Sequence, residues 1–471
     1  MNRTQTFIQF VCATVLGSSA LAADVIYDFT PNTAILDGNA SGIADSRSFL
    51  SGLANLTDVN LSLNIAGNYS GDLFGYLNHG SGYSVLLNRP GRNTGVPYGY
   101  AGGGLSIRLD DAAGSDIHTY GGGAASGDYQ PDARTADPAS VLTGSARSAY
   151  LSSFNGGSGD GTWTLFMADL APGFSHTLTS WSLEMSATPT GGETRIGPGY
   201  GYRVQTDGAL AGNLLNVLSG GKATFNAANA TIGSLSGAGK VVVNGTTLTA
   251  GTDNSSTIFS GSLLGVGSLV KQGSGMMTLS GNSTNGGITI SNGKLVLNGI
   301  ANAPVVVQTG ATLGGIGTVI GNLTVNAGGT HAPGSSAGIQ HIIGNYANNG
   351  TLAIELNGTT AGSGHDQVDV QGSVTLGNAI LDLSLGFTPQ IADTFLIINN
   401  DLSDSVIGNF LNLLEGEYVS VGIYTFQISY IGGDGNDVTL YTTEVPEAST
   451  WALMVLGGFG MLMVTRRWKK I

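Results

Sequence analysis

The chain has 471 residues, more than one ordinary domain, and 76 of them are Gly, about twice the usual ~7% and without the Gly-X-Y period of collagen. Its single cysteine, Cys12, falls in a segment expected to be removed, so the mature protein should contain no disulfide, no thiolate metal site and no cysteine nucleophile. Residues 24–443 hold 12 basic and 29 acidic residues, a net charge of −17, which disfavours nucleic acid as a partner because neutralising phosphates needs a basic patch.

Residues 1–22 read as a secretory signal peptide. Arg3 gives the positive start, Phe7–Leu16 the apolar core and Ala20-Leu21-Ala22 a small-x-small cleavage site. Residues 23–187 then read as an antiparallel β-sandwich of jelly-roll type. Val59–Ile65 alternates apolar and polar residues as a half-buried strand does, and Leu73–Leu77, Tyr83–Leu87, Leu105–Leu109, Thr162–Met167 and Leu178–Met185 follow at turn-separated intervals. Trp163 and Trp181 are expected in its core, and the unit is expected to fold alone. The segments "FNGGSGDGTWTLFMADLAPGFSHTLTSWSLEM" (Phe154–Met185) and "NLSLNIAGNYSGDLFGYLNHGSGYSVLLNRPG" (Asn60–Gly91) resemble the P/Homo B domain that accompanies subtilisin-like proprotein convertases. Asn78–Gly82 departs from the family's Pro-Ser-Gly.

Thr188–Tyr202 is rich in Pro and Gly and without periodicity, so 188–202 reads as a linker. From 203 to 442 short β-branched pieces recur between Gly, Asn, Ser and Thr. Met277–Leu279, Ile288–Ile290 and Leu295–Leu297 are the clearest. Such a unit cannot bury its own apolar face and must stack on its neighbours, which predicts a parallel β-solenoid, or β-helix, with Ile290 in an inward row and a terminal stretch capping the open end. The frame Gly265–Gly299, "GVGSLVKQGSGMMTLSGNSTNGGITISNGKLVLNG", resembles the autotransporter-associated β-strand repeat of bacterial surface proteins.

Residues 443–471 form a second sorting element. Ala448–Thr465 is uncharged, which as a helix spans ~27 Å, near the minimum for a bilayer core, and the basic cluster after it belongs on the cytoplasmic side. A transmembrane helix is therefore expected over 448–465. Pro446-Glu447, the apolar stretch and Arg466, Arg467, Lys469 and Lys470 resemble the PEP-CTERM sorting signal, with Ala448 where that family has a second Pro. The resemblance implies processing by an exosortase-type enzyme, exopolysaccharide or other envelope components as partners, and a route through export and transient inner-membrane anchoring to the cell surface or beyond.

Catalysis is not expected. The strand–helix alternation that houses a subtilisin-type triad is missing, and the G-x-S-x-G match at Gly334–Gly338 lacks the strand–turn–helix context of a nucleophile elbow. The six histidines are scattered without metal-ligand spacing and are expected in loops or on the surface. Calcium is the better-motivated ligand. Asp110, Asp111 and Asp116 share one loop and Asp72 and Asp169 lie in turns, while Gly432–Val438, with Asp434 and Asp437, resembles one copy of the RTX calcium repeat. The expected role is structural or adhesive. One alternative is a carbohydrate- or protein-binding module on a solenoid stalk, with Tyr98, Tyr100 and Tyr120 presenting aromatic faces from loops. The other, implied by the P/Homo B likeness, is a partner of a serine endopeptidase.

Overall fold

The computed structural model describes residues 23–80, 82–401 and 403–444. The signal segment 1–22, the apolar stretch 448–465 and the sorting residues Pro446, Glu447, Arg466, Arg467, Lys469 and Lys470 lie outside the described residues. Among the described residues no helix is long and apolar enough to cross a membrane. The described chain is all-β, its helical content being three single 3-10 turns at Ser70–Asp72, Ile117–Thr119 and Leu151–Phe154.

The N-terminal part packs two sheets over one core. In the first, strand His176–Pro189 lies between Leu53–Ala66 and Ala23–Phe29, and Leu105–Leu109 continues the antiparallel order beyond Leu53–Ala66. The second runs Asn39–Phe49, Gly161–Asp169, Leu73–His79, Gly82–Asn88. Alternation sends Val59, Leu61, Leu63 and Ile65 inward, and Trp163 and Trp181 enter the core from opposite sheets, both fully buried. Each buried indole needs an acceptor. Trp181 Nε1 donates to Asp45 Oδ2 at 2.7 Å and Trp163 Nε1 to the Gly159 carbonyl at 3.1 Å.

The expected linker is instead ordered strand. Glu193–Ile196 pairs in parallel with Leu214–Val217, and Gly201–Val204 pairs with Val25–Asp28 of the first sheet. Tyr27 and Tyr202 meet at 4.8 Å, and Arg203 clamps Asp28 with two 2.7 Å bonds. Thr194 and Asn213 tie to the carbonyls of Ser51 and Gly52. Gly and Pro here mark the corners of a first coil, and the short strands between those corners are held by partners distant in sequence. The sandwich and the solenoid therefore share a sheet and a continuous core.

From Gly201 the chain winds as a three-faced parallel β-solenoid of about 12 turns. One coil passes from Ser262–Gly265 to Ser268–Lys271 to Met276–Leu279 before returning to Asn282–Thr284 on the first face. Inward rows run along the axis: Leu248, Leu269, Ile288, Val305, Leu323, Tyr346 on one face, with Ile290 fully buried in the adjacent row as expected. That adjacent row also holds Lys271. Its Nζ donates to the carbonyls of Gln272, Gly273 and Asn292 at 3.0, 2.8 and 2.9 Å, and burial pulls its pKa down. The corner fits because Gly293 has φ +66° and a Cβ there would meet the Gly273 carbonyl oxygen at 2.5 Å. The terminal strands Tyr418–Val421, Tyr424–Gly432 and Asp437–Glu444 form an antiparallel cap on Thr394–Asn400. The cap covers one face. Ile380–Leu385 and Ile407–Asn409 on the other two have a strand partner on one side only among the described residues.

Candidate functional site

The sequence-selected carboxylates do not gather. Asp110 accepts from Arg108 at 2.8 Å and the Ala112 N–H; Asp111 accepts the N–H groups of Leu151 and Ser152. Asp116 takes the His118 N–H and an Arg134 bond of 2.7 Å. Asp72 lies beside Arg89, and burial, then the neighbouring Asp169, pushes its pKa up to about 6. Asp169 is held by His176 Nδ1 at 2.8 Å. Asp437 accepts the main-chain N–H groups of Asn400 and Asp434, closing the turn in which Asp434 lies. Among the described residues no three His, Cys, Asp or Glu side chains form a group able to hold a metal.

The histidines depart from expectation, since His118, His176, His331 and His365 are buried. Each is held by ring hydrogen bonds, which spacing in the sequence does not reveal. His331 lies inside the solenoid, with Nδ1 at 2.9 Å from Tyr346 Oη and Nε2 at 2.6 Å from Gln340 Oε1; desolvation pulls its pKa down to about 4. The Gly334–Gly338 loop borders a cleft of about 170 Å³ lined by Ser335, Ser336, Lys294, Glu355, Asp366 and Asp382 among others, with no imidazole in the wall to activate a hydroxyl. Asp366 is pushed up to about 7 by burial, and its oxygens accept N–H bonds from Gly338 and Glu355, pinning the loop to the neighbouring strand.

Of the three loop tyrosines only Tyr98 is widely exposed. Tyr100 and Tyr120 interlock edge to face at 5.0 Å, and Tyr120 Oη is bonded to Ser70 and Gly123. The aromatic surface lies elsewhere, on the outer face of the second sheet. Leu73, Gly75 and Leu77 point inward, so Phe74 and Tyr76 point out; Leu165 and Met167 do the same for Phe166. Tyr76 and Phe166 stack at 4.8 Å and 16°, Phe74 lies 6.1 Å from Tyr76, and the exposed Tyr83 extends the row at 5.2 Å. A Cβ at Gly75 would meet Met167 Sδ at 2.3 Å, so a larger residue there would displace the Met167 side chain beneath the sheet.

The rings open into a groove of about 510 Å³ lined by Phe74, Tyr76, Phe166 and Leu170, with Arg89 and Asp137 as its charged members. Arg89 is oriented by bonds from Nε to the Gly71 carbonyl at 3.0 Å and from Nη2 to Asp72 at 3.5 Å. A larger hollow, about 670 Å³, lies between His79 and the loop Phe154–Thr162, but its wall is mostly glycine and serine and offers little to grip. The aromatic face had a signal in the sequence. In Leu73-Phe74-Gly75-Tyr76-Leu77 both faces of one strand are apolar, whereas the outer face of an antiparallel sandwich is ordinarily polar. No protein-family model matches the chain, and no curated protein matches its sequence significantly.

Proposed function

We propose that this is a non-catalytic surface protein in which a solenoid stalk carries a sandwich head that holds extracellular polysaccharide on its aromatic face. The observation that carries this reading is the row Phe74, Tyr76 and Phe166 opening into the 510 Å³ groove. Flat rings stack on the apolar faces of sugar units, and a few convergent polar groups, here Arg89 and Asp137, fix orientation. The head is read as a jelly roll of the P/Homo B kind, and the tail as a PEP-CTERM-type signal handed to an exosortase-type enzyme after export. Both readings rest on resemblance.

Binding of the purified chain to a panel of neutral and acidic polysaccharides tests the proposal. Tyr76→Ala and Phe166→Ala should each weaken binding at least ~10-fold, in line with ~1.4 kcal/mol for a lost ring contact, in variants whose circular dichroism shows the fold retained at the assay temperature. Binding that survives both substitutions, or an unmutated chain that binds no polysaccharide, would remove the assignment.

A further inference from the structure

The head carries more acid than its own cations can match. Residues 23–187 contain fifteen Asp and Glu against six Arg and no Lys, a net charge of −9. Five of those arginines already meet a carboxylate: Arg47 with Asp45, Arg89 with Asp72, Arg108 with Asp110 and Glu184, Arg134 with Asp116 and Asp132, and Arg147 with Asp116. The sixth, Arg92, commits Nε and Nη1 to the carbonyls of Pro97, Pro138 and Val141. Every cation of the head is thus engaged within the fold.

The aromatic groove has the same imbalance. Its cation, Arg89, is matched by Asp72, and the Arg89 side chain is only 12% exposed. Its other charge is unmatched. Asp137 is exposed in the wall, accepts the Ala139 N–H at 2.7 Å, and has no basic side chain paired with it among the described residues. Water alone could satisfy such a carboxylate on an open surface. Here it shares the groove with Phe74, Tyr76 and Phe166. The face of an aromatic ring is the negative pole of its quadrupole, so it attracts a cation as readily as it accepts the apolar face of a sugar. An anionic polymer would meet an unmatched carboxylate, negative ring faces and the field of the whole head.

We propose that the polymer held on this face is built from amino sugars, with a protonated amine beside the Asp137 carboxylate and the sugar rings stacked on Tyr76 and Phe166. The inference rests on the polysaccharide reading and narrows it to one class. Three sugar units separate the charge from the stacking. Glucosamine brings both, N-acetylglucosamine keeps the stacking and loses the charge, and a uronate keeps the stacking and reverses the charge.

The test is calorimetric titration of the full chain with hexamers of glucosamine, N-acetylglucosamine and galacturonate, in a buffer that keeps the amines protonated. The glucosamine hexamer should bind at least ~5-fold tighter than its acetylated counterpart, the scale of one exposed charge contact reinforced by a ring face, and the uronate should bind weakest. Asp137→Asn keeps an acceptor for the Ala139 N–H and removes only the charge. In that variant the two amino hexamers should bind within ~2-fold of each other. Asp128→Asn, which removes an equal charge from the other sheet, should leave the preference intact and so exclude general attraction to an acidic protein. Equal binding of the two amino hexamers to the unmutated chain would overturn the amino-sugar assignment while leaving the polysaccharide reading in place, as would a preference for the uronate. A preference that survives Asp137→Asn, or falls equally in Asp128→Asn, would overturn the site. No binding of any hexamer would remove both readings.

Discussion

The head and the stalk bury their chains by different means. In the head, strands far apart in sequence pair antiparallel and the core depends on a few large side chains: Leu61 lies against Leu183, and Trp163 stacks on His79 at 4.0 Å. In the stalk each strand pairs with the equivalent strand one coil away, from 17 residues (Ile288 to Val305) to 32 (Thr375 to Ile407), and no single residue dominates. Polar groups follow the same division. The head closes on specific pairs such as Arg134 with Asp132, while the stalk satisfies its corners with main-chain carbonyls, asparagines and the buried ammonium of Lys271. A fold built from unique long-range contacts should fail at single points. One built from repeated neighbour contacts should fail in blocks.

The largest effect should come from a charge placed in an inward row. Ile290→Asp is not the sharpest choice, because Lys271 is its row neighbour and its ammonium would partner the new carboxylate. Ile288→Asp lies between Leu269 and Val305, with no such rescue, and should cost at least ~4 kcal/mol. Hydrogen exchange should rise together over the coils from 268 to 325 while the amides of Leu61 and Leu183 stay protected. Opening confined to one strand would break the neighbour-coupled picture.

Trp163→Ala should cost ~3–5 kcal/mol. Because Ala23–Phe29 bridges the head to Gly201–Val204, the loss should reach the first coils and spare the last. For the same reason a fragment ending at residue 187 should melt below one ending at residue 217, a change from the autonomous head that the sequence suggests. Equal melting of the two fragments would restore a separable head.

The smallest effect is a proton. His331 is fully buried, with its pKa drawn from 6.5 to about 4, so between these values the unfolded chain binds a proton that the folded chain refuses. The stability tied to this histidine is complete above pH 6.5 and is lost as pH falls toward 4, by roughly 3 kcal/mol. Asp366, raised to about 7, acts in the opposite sense, its contribution fading as pH rises through that value. Only the difference between the unmutated protein and His331→Gln isolates the histidine. Denaturant melts at pH 4.5 and 7 should show a smaller acid loss in His331→Gln, and equal losses would place the titration elsewhere.

Much of this architecture is legible residue by residue. Alternation in Val59–Ile65, the two tryptophans, the short β-branched pieces around Ile288 and the Gly-Asn turns are all local signals, since propensity and period act over a few neighbours. The aromatic face was half legible. The Phe74-Gly75-Tyr76 alternation is in the sequence, but Phe166 joins it only because Leu73–His79 pairs with Gly161–Asp169. The loop tyrosines looked better placed because loops are read as exposed, and the packing of Tyr100 on Tyr120 leaves no trace in spacing.

The sequence by itself determined strand-forming pieces, inward and outward positions, and the need for stacking, because each follows from side-chain chemistry and a two-residue period. Tertiary structure decided where residues far apart in the chain meet. It absorbed 188–202 into a shared sheet, placed Lys271 among three carbonyls that accept its N–H bonds, and drew Asn400 and Asn436 together across 36 residues. Coil length varies because insertions bulge at corners without disturbing the paired rows, so the number of coils is fixed by pairing and not by any period in the letters.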